Sequence, residues 1–283
     1  MSIGEFIYTT LLKPKPLRKL ANAAILRILP ETVAVGPATV RLNPNDPVVS
    51  GALATRQFER AEIAFFLDAC RPGMTVVDVG ANVGLYTAIA MHRAGPSGRV
   101  VAIEPHEESR VYLAQTIAAN TPAAGAPVEI VACAVADREG HAELYSNEAN
   151  KGDNRIYASD LTPATSATAI RTARLDTILA ERGISGIDLL KMDIQGAELL
   201  ALEGARETVA ASPGMMLLSE FWPQGLNHNR PDGAMRYLTL LSALNFDIRL
   251  LGSGERIASD DFAALIARLP GRKYANLACV RSA

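Results

Sequence analysis

The chain has 283 residues, which is enough for one large domain with a modest extension. Its composition, 49% hydrophobic and 20% charged, is that of a globular protein, and a net charge of −2 excludes a global electrostatic attraction to nucleic acid. The three cysteines lie far apart and form no CxxC pair, which excludes a zinc site of that type and predicts free thiols in a reducing, cytoplasmic setting.

Residues 1–30 contain apolar residues interrupted by five basic ones, so we expect neither a signal peptide nor a membrane span. The apolar positions Leu17, Leu20 and Ala24 follow helical spacing, which predicts a basic amphipathic helix. Such a helix packs on its own domain or on a second copy in a homo-oligomer, or it rests on an anionic membrane surface; packing is the commoner use. Because 33–42 is typical of a short hairpin, we predict that residues 1–56 form an N-terminal extension of helix and hairpin.

The remaining residues, 57–283, are predicted to form one domain in which short Val/Ile/Leu runs alternate with helices. The predicted strands cover 75–79, 99–103, 128–135, 187–192 and 215–219, and the predicted helices cover 57–70, 84–93, 107–120, 175–181 and 197–209. A helix over 232–244, a strand over 246–251, a short helix over 260–267 and a strand over 274–280 complete the chain. This alternation predicts an α/β fold with a doubly wound, mostly parallel sheet that is covered on both faces.

One segment interrupts the alternation. Residues 141–146 are typical of an extra strand, but 147–172 show no apolar period and include a run rich in Ser, Thr and Ala. We therefore predict a long variable loop over 147–172, which is either a lid over a binding site or a plain insertion.

The strongest local signal is the run Thr-Val-Val-Asp-Val-Gly-Ala-Asn-Val-Gly over 75–84. It predicts a strand, a turn with Gly80, Asn82 and Gly84, and then a helix. Glycine lets a ligand approach the backbone closely, and the helix N-terminus offers N–H groups to the carboxylate of a methionine moiety as well as to a phosphate. Asp78, at the end of the strand, either pairs with an ammonium group of the ligand or braces the turn.

A second signal is Glu104, which follows the second predicted strand and precedes Pro105. An acidic residue at this place accepts hydrogen bonds from two ribose hydroxyls, although Glu-Pro is also a plain way to end a strand. Together with the glycine turn, it indicates an adenosine-containing ligand at the carboxyl edge of the sheet.

The spacing of the glycines distinguishes between adenosine ligands. A dinucleotide fingerprint needs G-x-G-x-x-G, and counting from Gly80 the second and third glycine places hold Asn82 and Leu85. Residues 78–90 also contain no Lys or Arg for a phosphate. The pattern therefore favours S-adenosylmethionine (SAM) over NAD, and it disfavours an NAD-dependent oxidoreductase.

With these motifs, the sequence from about 43 to 222 resembles the FkbM-type SAM-dependent methyltransferases. The resemblance rests on the segments 76–87, 102–105, 174–179, 190–205 and 219–223. It implies a seven-stranded class I methyltransferase fold, and it adds Tyr86, Thr87, Pro105 and Asp193 to the cofactor-binding residues. It also implies methyl transfer to a hydroxyl of a sugar, glycoconjugate or secondary metabolite. The frequent Asp-Val-Glu-Gly-x-Glu of the family reads Asp-Ile-Gln-Gly-Ala-Glu over 193–198, so Gln195 keeps hydrogen-bonding capacity without a charge.

Three residues are candidates for the transfer step. Asp193 and Glu220 follow the fourth and fifth predicted strands, where either can be the base, or both can hold a divalent cation such as Mg²⁺. The alternatives are a helix cap for Asp193 and a loop brace for Glu220. His228, in a predicted polar loop after the fifth strand, is a third candidate base, although a lone histidine is more often simply solvated.

Two other residues are expected to be structural. Glu198 is predicted to be a helix-dipole or surface charge, and Trp222 is predicted to be a packing residue.

Two further rival functions are separated by sequence features. An N-methyltransferase commonly carries an Asn/Asp-Pro-Pro-aromatic motif after the fourth strand, where this chain has Asp-Ile-Gln-Gly. A non-catalytic SAM-binding protein would keep 76–87 and Glu104 but would not need Asp193 or Glu220. The sequence therefore favours an O-methyltransferase with a small-molecule or glycan acceptor and no nucleic-acid partner.

Overall fold

The computed structural model describes residues 29–46, 48–55, 58–121, 125–146, 154–156 and 166–282. The basic helix predicted within 1–30 falls almost wholly outside these ranges, as does most of the segment 147–165.

The described strands and helices follow the predicted alternation closely. The strands are β1 (Thr32–Val35), β2 (Ala38–Arg41), β3 (Thr75–Val79), β4 (Arg99–Ile103), β5 (Val128–Val131), β6 (Ala134–Val135), β7 (Gly140–Ser146), β8 (Ser166–Ala173), β9 (Leu189–Met192), β10 (Met216–Phe221), β11 (Phe246–Leu250) and β12 (Ala275–Arg281). The helices are α1 (Val49–Ala54), α2 (Arg60–Ala69), α3 (Leu85–Ala94), α4 (Glu107–Asn120), α5 (Leu175–Ala180), α6 (Glu198–Glu203), α7 (Arg206–Ala210), α8 (Pro223–Asn229), α9 (Gly233–Ala243) and α10 (Phe262–Arg268).

The main sheet has seven strands in the order β11-β12-β10-β9-β3-β4-β5. The last five of these strands are parallel, and β12 is antiparallel to both of its neighbours. Val, Ile and Leu side chains on β3, β4 and β9 are buried on both faces, as expected for a parallel sheet covered by helices. The predicted doubly wound, seven-stranded α/β fold is confirmed.

The hairpin of β1 and β2 packs on the outer helix α4. Asn120 at the end of α4 accepts a hydrogen bond from the Thr39 N–H at 3.0 Å and donates one to the Thr39 carbonyl at 2.7 Å. The same side chain thus satisfies both backbone groups of one strand residue, which fixes the hairpin beside the sheet.

Two predicted elements are divided. The strand predicted over 128–135 is split into β5, in the main sheet, and β6, in a second sheet of order β6-β8-β7. The helix predicted over 197–209 is split into α6 and α7 around Gly204, where a Cβ atom would lie 2.0 Å from the Ala136 carbonyl oxygen. The close approach of these two backbones needs glycine and interrupts the helix.

The loop predicted over 147–172 is wrong in its last seven residues, which belong to β8. This strand pairs with β7 in seven antiparallel residue pairs and with the short β6 in parallel. Most of the side chains of β8 are exposed, so its sequence is polar and shows no apolar period. Backbone hydrogen bonds to the neighbouring strands stabilise it instead.

Three cysteines are free and buried, as predicted. In the ranges that the structure describes, no helix is both long enough and apolar enough to span a bilayer.

Candidate active site

A cleft of about 280 Å³ opens at the carboxyl ends of β3, β4, β9 and β10. Residues outside the sheet, from 48–53, from 58–59 and at Tyr274, form part of its walls. Of the predicted site residues, the cleft is lined by Gly80, Asn82, Tyr86, Glu104, Pro105, Asp193 and Glu220. The sequence-derived motifs therefore converge on one cavity, as ligand sites do in open α/β sheets.

The glycines of the first turn are in close contact with neighbouring parts of the protein. A Cβ atom on Gly80, which has φ +78°, would lie 2.2 Å from the Asp193 carbonyl oxygen. A Cβ atom on Gly84, with φ +90°, would lie 2.7 Å from the Leu113 Cδ1 atom. Both glycines thus allow the turn to touch the segment after β9 and helix α4. Gly80 also lines the cleft, and close approach of a ligand to the turn stays a prediction.

Asp78 and Thr87 are sealed beneath the turn, away from the cleft. Asp78 is completely buried, and its Oδ2 atom accepts a hydrogen bond of 2.6 Å from the Thr87 hydroxyl. Burial raises the pKa of Asp78, while the nearby Lys191 ammonium, 3.8 Å from Oδ1, opposes this shift. Of the two roles expected for Asp78, the geometry supports bracing of the turn and not pairing with a ligand ammonium.

Glu104 is held at the cleft by two backbone groups. Its Oε2 atom accepts from the Asn82 N–H at 2.9 Å and its Oε1 atom accepts from the His106 N–H at 2.8 Å. Each oxygen retains a further lone pair, because a carboxylate has about four acceptor positions. Burial raises the pKa of Glu104, although the two hydrogen bonds act to lower it.

These residues fit an adenosine-containing ligand. Glu104 presents acceptors where ribose hydroxyls would donate, next to Pro105. The amide Oδ1 atom of Asn82 is buried and has no hydrogen-bond partner within the described ranges, which marks a place for a donor from a ligand.

Lys191, which sequence reasoning missed, lies at the centre of the site. Its Nζ atom donates to the Gly80 carbonyl at 3.1 Å and is 3.8 Å from a carboxylate oxygen of both Asp78 and Asp193. It also lies 5.2 Å from the centre of the Tyr86 ring. Burial alone would lower the pKa of Lys191, but the carboxylates outweigh it and the pKa is raised. A lysine inside the apolar strand 189–192 was the available signal, because buried lysines are almost always paired.

Gln195 joins the two carboxylates that were expected to act in catalysis. Its Nε2 atom donates to Asp193 Oδ1 at 2.9 Å and to Glu220 Oε2 at 3.2 Å. The backbone of Gln195 has φ +56°, a left-handed conformation that is uncommon for a residue with a Cβ atom. Burial, followed by the charge of Asp193, raises the pKa of Glu220 well above its usual value.

The loop between β9 and α6 is braced by Glu198 and not by Asp193. Glu198 is completely buried and accepts hydrogen bonds from the Ile194 and Gly196 N–H groups at 3.0 Å and 3.3 Å. The prediction of a surface charge at Glu198 is wrong. No side-chain cap is present at the start of α6, so the alternative role of Asp193 as a helix cap is also wrong.

The predicted cation ligands, Asp193 and Glu220, have an amide N–H group of Gln195 between them. Across the residues described, no group of three or more His, Cys, Asp and Glu side chains is arranged to hold a metal ion. The geometry thus offers no support for a cation held by this pair.

His228 and Trp222 lie away from the reacting part of the cleft. His228 is on α8 and not in a loop, its side chain is exposed, and it does not line the cavity. The geometry gives no support to its predicted role as a base. Trp222 is buried and donates from Nε1 to the Gly271 carbonyl at 2.9 Å, which agrees with its predicted role in packing.

Glu59 is a second cleft residue that the sequence did not indicate. It precedes α2 with φ +37°, and its Oε2 atom accepts a hydrogen bond of 2.6 Å from the Tyr86 hydroxyl. Burial, followed by the charge of Asp193, raises the pKa of Glu59 to about 7. A glutamate before a helix is too common to be a signal, since only the tertiary fold brings it to the cleft.

Comparison with known proteins agrees with this geometry. Residues 78–248 match the family model described as the methyltransferase FkbM domain. The chain is 31% identical over 205 residues to the 31-O-demethyl-FK506 methyltransferase FkbM of Streptomyces tacrolimicus, covering 60% of this chain and 76% of that protein. It is 26% identical over 220 residues to the methyltransferase sdnD of Sordaria araneosa, covering 68% and 80%.

A third relative is far longer. The AMB antimetabolite synthetase AmbE of Pseudomonas aeruginosa is 29% identical over 197 residues, which cover 58% of this chain but 9% of the synthetase. The family model spans the glycine turn as well as Asp193 and Glu220. The chain therefore belongs to the FkbM methyltransferase family and is a SAM-dependent methyltransferase.

Proposed function

We propose that the protein methylates a hydroxyl group of a small-molecule or glycan acceptor, such as a sugar, a glycoconjugate or a secondary metabolite. The observation that carries this proposal is the pair Asp193 and Glu220, bridged by Gln195 in the same cleft as Glu104. A hydroxyl is a weak nucleophile with a high pKa, so its methylation needs a proton acceptor beside the reacting oxygen.

SAM supplies the electrophilic methyl group. Glu104 holds the ribose end of the cofactor, and Lys191 ties the glycine turn to β9, which keeps both halves of the cleft in register. Asp193 takes the proton of the acceptor hydroxyl, and Gln195 fixes the direction of its carboxylate by the bond of 2.9 Å. Burial raises the pKa of Glu220 well above its usual value, which favours its protonated form, and we assign to Glu220 the orientation of the acceptor.

A divalent cation such as Mg²⁺ at Asp193 and Glu220 is the alternative way to acidify the hydroxyl. Removal of metal with EDTA distinguishes the two. Direct base catalysis predicts unchanged turnover in EDTA, whereas loss of activity that Mg²⁺ restores would favour the cation.

The name of one relative supports an oxygen acceptor. The relative from Streptomyces tacrolimicus is named for 31-O-demethyl-FK506, a compound that lacks a methyl group on an oxygen. No Asn/Asp-Pro-Pro-aromatic motif follows β9, which disfavours a planar amine as acceptor.

The test is a product search with metabolite extracts from the organism that encodes the protein. Incubation with enzyme and SAM should increase the mass of one compound by roughly 14 units, the mass of one CH₂ group, and by one more unit with ¹³C-methyl SAM. The ¹³C chemical shift of the product then identifies the atom that carries the methyl group. Label on nitrogen would reject O-methylation, and SAM binding without transfer to any extract would favour a non-catalytic binding protein.

A further inference from the structure

The amino-acid portion of SAM carries an ammonium group that needs an anionic or carbonyl partner once it leaves water. The sequence offered Asp78 for this purpose, but Asp78 is completely buried and bonded to Thr87. The Gly80 carbonyl, a second acceptor near the turn, is neutral and accepts from Lys191. An anionic partner for the ammonium group would therefore come from another side chain of the cleft wall.

Glu59 is placed to fill this role. Its carboxylate lines the cleft and is bonded through Oε2 to the hydroxyl of Tyr86. Tyr86 lies in the first turn of α3, directly after the glycine turn. The bond of 2.6 Å thus fixes Glu59 beside the turn where the methionine portion of the cofactor is expected, and it leaves Oε1 for another donor.

The backbone at Glu59 is unusual. Its φ of +37° and ψ of +49° are left-handed, a conformation that disfavours a residue with a Cβ atom. Such conformations cost free energy and recur at binding sites, where the surrounding structure enforces them. Here the strained residue is one whose side chain reaches the cleft.

The electrostatic surroundings of Glu59 favour a cationic ligand. Within the described part of the chain, the charged and titratable groups whose interaction with Glu59 is strongest are Glu62, Tyr86, Lys191, Asp193, Glu220 and Tyr274. Lys191 is the cation in this set, and it is already shared between Asp78, Asp193 and the Gly80 carbonyl. Carboxylates therefore outnumber cations within this set.

We propose that Glu59 is the anionic partner of the SAM ammonium group and is held in place by Tyr86. The residue lies before the matched family region, which begins at residue 78. The inference rests on the function proposed above, because it assumes that SAM occupies this cleft.

The experiment is calorimetric titration of SAM and of S-adenosylhomocysteine, its demethylated product, into the wild-type protein and Glu59→Gln. At pH 7.5 the variant should bind both ligands on the order of 10- to 100-fold more weakly, the effect of losing one charge-assisted hydrogen bond. Both ligands keep the ammonium group and only SAM carries the sulfonium charge, so the two losses should be similar.

The pH dependence provides a second measurement that needs no variant at Glu59 to fold. Since the pKa of Glu59 is raised to about 7, its ionised fraction falls as the pH is lowered from 7.5 to 5.5. Wild-type affinity for S-adenosylhomocysteine should drop by on the order of tenfold over this range. In Tyr86→Phe the drop should begin at a higher pH, because the hydrogen bond from Tyr86 lowers the pKa of Glu59.

Glu62→Gln is the matched control, since Glu62 lies on the adjoining helix, is bonded to Asn276 and does not line the cleft. It should bind both ligands like the wild type at pH 7.5. Wild-type affinity in folded Glu59→Gln, or a loss confined to SAM, would overturn the ammonium assignment while leaving the proposed function intact. Failure of the wild-type protein to bind either ligand would instead overturn the proposed function.

Discussion

The side chains at the floor of the cleft are arranged around the buried ammonium group of Lys191. Lys191 lies between Asp78 below the turn and Asp193 in the cleft, and it bonds to the Gly80 carbonyl. Glu104 and Asp193 were predictable because acids that follow parallel strands meet at one edge of the sheet. Glu59 and the bridge made by Gln195 were not, because they depend on tertiary placement and on a left-handed backbone.

Asp193→Asn tests the proton acceptor at the scale of one residue. The substitution keeps the shape of the side chain and removes its charge, so SAM affinity should survive while kcat falls by roughly 10²–10⁴-fold, the usual effect of losing a general base. Steady-state kinetics with the identified acceptor measures this. A folded variant with the wild-type rate would remove Asp193 from the transfer step.

Glu104→Ala tests the ribose contact. Loss of two charge-assisted hydrogen bonds should cost about 2–4 kcal/mol of SAM affinity, as measured by calorimetry. The matched control is Asp188→Ala, because Asp188 also accepts a backbone hydrogen bond, from Thr75 at 2.8 Å, but is exposed and outside the cleft. If both variants bind SAM like the wild type, Glu104 only ends its strand.

The turn after β3 can contact the segment after β9 only because residue 80 is a glycine, and this contact can be tested by substitution. Gly80 and Gly214 have nearly the same φ, +78° and +77°, but only at Gly80 would a Cβ atom collide with backbone, 2.2 Å from the Asp193 oxygen. Gly80→Ala should therefore lower the free energy of unfolding by about 2 kcal/mol or more beyond the loss in Gly214→Ala, which reports backbone strain alone. Urea unfolding measures both. Equal losses would mean that the contact between the turn and β9 is unimportant.

The elements themselves were largely predictable, because β3, β4 and α4 have strong hydrophobic runs or clear boundaries. Two predictions of secondary structure failed for physical reasons. Strand β8 is stabilised by ladder bonds to β7 and not by an apolar face, and the helix predicted over 197–209 is broken by the close approach of Ala136 to Gly204. The pairing of β8 leaves no mark in the local sequence, and an isolated glycine such as Gly204 does not by itself show that a helix ends there.

The whole molecule carries several buried carboxyl groups at the carboxyl edge of its sheet. Burial raises the pKa of both Glu59 and Glu198 to about 7, from an ordinary value of 4.5. A carboxyl whose folded-state pKa is raised binds its proton more firmly in the folded state. Its contribution to stability is therefore present below about pH 4.5 and is lost as the pH rises through about 7.

The contribution of Glu59 and Glu198 should accordingly make the unliganded protein less stable at pH 8 than at pH 5.5. Glu198→Gln keeps an acceptor for the Ile194 and Gly196 N–H groups and removes the buried charge. Relative to the wild type, it should gain about 2–3 kcal/mol in unfolding free energy between pH 5 and pH 8. Urea unfolding at both pH values measures the gain, and a constant difference between the two proteins would contradict it.

The measurement that tests the central claim most directly is calorimetric titration of SAM, S-adenosylhomocysteine and NAD into the wild-type protein. The claim is that the cleft between Glu104 and Asp193 is built for the cofactor of a methyltransferase. We predict one-to-one binding of SAM and S-adenosylhomocysteine and no binding of NAD, because Asn82 and Leu85 stand where a dinucleotide fingerprint has glycine. Tight binding of NAD without binding of SAM would contradict the account.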